Sequence, residues 1–78
     1  MKIKTIDELV IGRRVQVSHP GPGQIGCDWY DGIVIRHTQT RTQTLVHVEL
    51  VGHPRRASGY FGVVINHRDL AIGLVRSL

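Results

Sequence analysis

Apolar and polar positions alternate with a period of two along much of the chain, and that spacing predicts half-buried strands. Arg13 to Ser18 is the first, with Val15 and Val17 inward and Arg14, Gln16 and Ser18 outward. Gly32 to His37 is the second. Gly32 and Val34 share one of its faces and Ile33 and Ile35 the other, so both are apolar at the centre, as suits a central strand. The third, Leu45 to Val51, sets Val46, Val48 and Leu50 against Leu45, His47 and Glu49. Tyr60 to Ile65 is a fourth strand, apolar on both sides, and Ala71 to Leu78 supplies a short closing strand.

The intervening residues are local-structure signals. Thr5 followed by Glu8 fits a capping box and predicts one helical turn over Ile6 to Val10, too short to be stable alone. Asn66 to Leu70 predicts a second tight turn of helix. His19 to Gly26 holds two prolines and three glycines and predicts a loop, and Gly52 to Gly59 predicts a basic one. Thr38 to Thr44 is the same in both directions and predicts the polar tip of a hairpin centred near Arg41. Without Asn-Gly neither its turn type nor its register follows. Gly32, just after two aromatics, predicts a bulge or a close backbone approach.

Five short strands, one polar hairpin and a helical turn before the last strand predict an all-β fold: a small five-stranded barrel. The 78 residues suffice for one domain spanning 1–78, with 1–10 packing on it or leading into it. Ile11-Gly12-Arg13-Arg14-Val15-Gln16-Val17, Trp29-Tyr30-Asp31-Gly32-Ile33-Val34 and His67-Arg68-Asp69-Leu70 together resemble an SH3-like barrel of the Tudor and KOW kind, over residues 9–76. The resemblance implies a binding scaffold and not one ligand, since many functions share this fold. Tudor-like barrels use aromatics at comparable positions to cage methylated cations through cation–π attraction. Other barrels of this type are small subunits that dock onto larger assemblies.

Charge narrows the choice. Ten Lys and Arg, eight of them Arg, against six Asp and Glu give a net charge of +4, which favours polyanions or acidic protein surfaces as partners. Arg also suits bidentate recognition of phosphate or carboxylate better than Lys. The four aromatics come as two adjacent pairs, Trp29-Tyr30 and Tyr60-Phe61. In a strand, neighbours face opposite ways, so each pair is expected to give one ring to the core and one to solvent. An exposed ring can stack on an unpaired base while arginines contact phosphates. The expected binding set is Arg13, Arg14, Trp29, Tyr30, Arg36, Arg41, Arg55, Arg56 and Tyr60, with nucleic acid as the partner. The alternative is a docking subunit or homo-oligomer that uses the apolar positions Ile33, Ile35, Tyr60 and Val64.

Other chemistry is poorly served. Gly21-Pro22-Gly23-Gln24-Ile25-Gly26 matches G-x-G-x-x-G, yet no helical periodicity follows to hold a pyrophosphate at a helix start. The five histidines have neither helical i, i+4 pairs nor a cysteine cluster, although His37 and His47 could approach across the hairpin. The six carboxylates are scattered, and no nucleophile, base and acid share a spacing that suggests catalysis. The plasmid-encoded type of dihydrofolate reductase shares the scaffold, but its pore residues do not map onto His53-Pro54 to Asn66. The chain is expected to be a non-enzyme without cofactor. Cys27 is the single cysteine, next to Asp28, which opposes a thiolate, and is expected to be a partly buried thiol. No apolar run approaches the roughly 20 residues that span a bilayer. The start lacks a signal-peptide pattern, so a cytoplasmic chain without membrane contact is expected.

Overall fold

Alternation along the chain becomes one face of a five-stranded antiparallel sheet. A computed structural model describes residues 3–20, 26–51 and 62–78. Its strands are β1 (Arg14–Pro20), β2 (Cys27–Gln39), β3 (Thr44–Leu50), β4 (Gly62–Ile65) and β5 (Val75–Ser77), in the spatial order β4-β3-β2-β1-β5. A 3-10 turn (Ile6–Glu8) precedes them, and helix α1 (His67–Ala71) joins β4 to β5. The arrangement is all-β with one short helix and is compatible with a small barrel-like fold. The sheet itself is open, with β4 and β5 as its edges. Those edges are short, and α1 joins one to the other along the chain.

The inward row is apolar at its centre. Val15 and Val17 of β1, Val34 of β2, Val46, Val48 and Leu50 of β3, Ile65 of β4 and Val75 of β5 are all buried. Tyr30 and Val63 pack against this cluster. Ile3, Ile6, Leu9 and Leu70 complete it from the N-terminal segment and α1. Each fully buried Leu or Ile contributes on the order of 1.5–3 kcal/mol. The two helical turns therefore hold to the sheet by their apolar residues and not by helix propensity.

Both turns are fixed by a carboxylate that reaches back. The Glu8 carboxylate accepts the Lys4 N–H at 2.8 Å and the Thr5 N–H at 3.0 Å. These two donors, Lys4 first, hold the Glu8 carboxyl below its ordinary value of 4.5. In α1 the pair is reciprocal: Asp69 Oδ2 accepts from Asn66 N–H and Asn66 Oδ1 from Asp69 N–H, each at 3.0 Å. Gly73, at φ 79°, ends the helix; its N–H donates to Leu70 and that of Leu74 to Asp69, the pattern of a left-handed glycine cap.

Strand β2 is far longer than the Gly32 to His37 predicted. It starts at Cys27 because Cys27 to Ile33 pairs with Pro20 to Arg14 in register, and that pairing extends the strand through residues without apolar period. His19 and Pro20, expected in a loop, lie in the same ladder. Gly32 is the close approach and not the bulge: a Cβ there would lie 2.7 Å from Val48 Cγ1 and 3.1 Å from the Glu49 carbonyl oxygen. The register irregularity falls between Val34 and Arg36 instead. Ala71, expected in the closing strand, ends α1. Cys27 is exposed and not partly buried, because it opens β2 away from the core.

The hairpin tip spans Thr40 to Gln43, between Gln39 and Thr44 paired in register. The Thr40 N–H donates to the Gln43 carbonyl at 2.8 Å, the Thr40 hydroxyl accepts the Gln43 N–H at 3.1 Å, and the Thr44 hydroxyl donates to Gln39 Oε1 at 2.6 Å. These side-chain bonds select one register in a palindromic segment.

Candidate nucleic-acid interface

The outward row of the sheet mixes polar and basic residues with one large ring and the apolar Ile33 and Val64. Cross-strand register sets Trp29 beside Ser18, Asp31 beside Gln16, Ile33 beside Arg14, and Gln16 beside Arg76 on its other flank. Trp29 is 38% exposed, and the Arg76 guanidinium lies over its ring, 3.9 Å from the centroid. Arg76 Nε donates to Gln16 Oε1 at 2.8 Å, and Gln16 Nε2 donates to Asp31 Oδ1 at 2.9 Å. Asp31, Gln16, Arg76 and Trp29 thus form one relay across three strands. The Asp31 carboxylate can only accept, so it directs the Gln16 amide to present its carbonyl oxygen to Arg76.

Further along β2 the row continues through Arg36. Its Nη2 lies 3.4 Å from His47 Nδ1, while His47 Nε2 lies 2.8 Å from the Thr38 hydroxyl. A guanidinium has no acceptor, so His47 Nδ1 receives and Nε2 carries the hydrogen that Thr38 accepts. Arg14, Arg36 and Arg41 are all exposed, the last at the hairpin tip. The row also contains the acidic Asp31, tied to Gln16, and the half-buried Glu49.

The expected binding residues separate into three groups. Arg14 on β1, Trp29 and Arg36 on β2, and Arg41 at the hairpin tip are exposed. Arg13 and Tyr30 face the other way: Arg13 donates to the Glu8 carbonyl at 2.7 Å and to the Ser77 hydroxyl at 3.4 Å, while Tyr30 packs on the core. Arg55, Arg56 and Tyr60 lie outside the described residues, as do Phe61 and the Gly21 to Ile25 part of the glycine motif. Arg76 and Gln16 were not foreseen as site residues. The only signal for Arg76 in the sequence is its outward parity next to Val75, since its partner Gln16 is 60 positions away.

His37 and His47 do not come together. His47 lies on the outward face, whereas His37, opposite Val46, bonds through Nε2 to the Leu9 carbonyl oxygen. Among the described residues, no group of three or more His, Cys, Asp or Glu could hold a metal. None of the helices among them is long and apolar enough to cross a membrane. A groove of about 300 Å3 opens between the end of β1 (Val17, Ser18, His19) and β4 (Val63, Val64, Ile65), with Asp69 and Leu74 at its side. Two strands separate β1 from β4 in the ladder, so their meeting at one groove shows how strongly the sheet curls. Apolar surface is also open at Ile35 and Val64, 36% and 50% exposed. No family model, curated protein or solved structure matches the chain.

Proposed function

We propose that the curled sheet is an SH3-like barrel of the Tudor and KOW kind whose outward face binds single-stranded nucleic acid without catalysing a reaction. Trp29 carries the reading: it is an exposed ring at one end of a row of exposed arginines, Arg14, Arg36 and Arg41, on a chain of net charge +4. A base stacked on such a ring adds about 1–3 kcal/mol and needs no particular sequence. Methyl-cation caging is less well supported, because Tyr30 packs on the core and Arg76 already occupies a face of Trp29.

The test is the affinity for a labelled single strand across salt. Four arginines (Arg14, Arg36, Arg41 and Arg76) that each neutralise one phosphate predict a log–log slope of about −3, at roughly 0.7 per contact. Absence of binding at low salt refutes the reading. A second reading, docking to a protein, draws on the apolar surface at Ile35 and Val64. It predicts a salt-tolerant complex that Val64→Asp disrupts, and a complex indifferent to that change excludes it.

A further inference from the structure

We propose that Arg76 is a prepositioned phosphodiester grip, its guanidinium laid flat on Trp29 and steered by Gln16 so that its two terminal amino groups meet the backbone of a bound strand. This rests on the nucleic-acid reading and assigns a specific contact within it. The planar group is held at two points: its face lies on the indole and its Nε bonds to Gln16 Oε1. Gln16 in turn is oriented by Asp31. Those contacts use the stem side of the fork. Nη1 and Nη2 have no protein partner among the described residues.

A purely structural tie between β5 and β1 would need only one donor. A guanidinium fixed in this way offers two parallel N–H donors whose geometry matches two oxygens of one phosphate, and its rotamer freedom is already spent before the ligand arrives. Stacking on the indole also suits a weakly hydrated cation, which gives up water more readily than an ammonium would. A repeating anion is favoured over a single carboxylate because exposed arginines continue from the same site: Arg14 on β1, Arg36 on β2 and Arg41 at the hairpin tip. The ring and the fork together would accept one nucleotide, its base against exposed indole and its phosphate on Arg76.

Trp29 is the sole tryptophan, so its emission reports on this site in the full chain. Titration with a short oligodeoxythymidylate is expected to change that emission. Arg76→Lys keeps the charge and loses the fork, so affinity should fall roughly tenfold with the salt slope unchanged. Arg76→Ala should lower affinity further and reduce the slope by about 0.7. Gln16→Leu, which frees the guanidinium without touching its charge, should weaken binding at unchanged slope. If Arg76→Lys and Gln16→Leu bind like the wild type, and only their urea midpoints move, Arg76 is a structural tie and this proposal fails while the nucleic-acid reading stands. If the wild type ignores the oligonucleotide at low salt, or responds to poly-glutamate instead, both fall.

Discussion

Along β2, Tyr30, Gly32 and Val34 point toward the core while Trp29, Asp31 and Ile33 point away, and the two rows respond to change through different physics. Inward positions are constrained by space. Val48, Leu50 and the β3 backbone press so closely on Gly32 that a methyl group has no room. Outward positions are constrained by orientation: Asp31 sets Gln16, Gln16 sets Arg76, and Arg76 covers one face of Trp29. Loss of a contact inside is expected to remove stability, whereas loss outside is expected to leave the chain folded and, on the proposed reading, to weaken binding.

The sharpest way to break that contrast is Leu50→Ala. The side chain is fully buried, so stability should drop by about 2–5 kcal/mol in urea unfolding. Gly32→Ala comes next. A glycine in a strand would ordinarily gain from the exchange, but a Cβ 2.7 Å from Val48 should reverse the sign and cost about 1–3 kcal/mol. Trp29→Ala tests the other row. Loss of its exposed cation–π contact should lower stability by about 0.5–1 kcal/mol, whereas oligonucleotide binding should weaken by about 1–3 kcal/mol. A larger loss of stability than of binding there would dissolve the distinction between the rows.

The smallest effect concerns the turn that lays Ile6 and Leu9 on the core. Glu8 is held ionised by the Lys4 and Thr5 N–H groups. Its folded pKa lies below the unfolded one, so its contribution is present above the ordinary value of 4.5 and fades as pH falls through the lowered value. Glu8→Gln should flatten that part of the stability–pH curve. An unchanged acid limb would show that the carboxylate does not hold the turn.

Much of the inward row was legible because the signal was local. Val15-x-Val17 and Val46-x-Val48-x-Leu50 state their faces by alternation, and Thr5/Glu8 announces its turn by spacing. The start of β2 was not legible, since Cys27-Asp28-Trp29-Tyr30-Asp31 has no apolar period and becomes strand only by pairing with β1. For the same reason Cys27 was misplaced. Trp29, Arg14 and Arg36 could be singled out from composition and parity. Their organisation could not, because Arg76 and Gln16 meet only through the β1–β5 ladder, and the first and last strands become neighbours through topology and not through spacing.

The irregularity between Val34 and Arg36 acts as a one-residue phase shifter. Uninterrupted alternation from Val34 would have turned Arg36 toward Val46 and the core; the additional residue, Ile35, sets Arg36 beside His47 and keeps it outward. A chain lacking Ile35 would pair Val34 and Arg36 consecutively and leave every other side chain of β2 on its present face, losing mainly the bend that a bulge imparts. The strand therefore carries a spare position: a place where its length can change by one without rewriting which residues meet the core and which face outward.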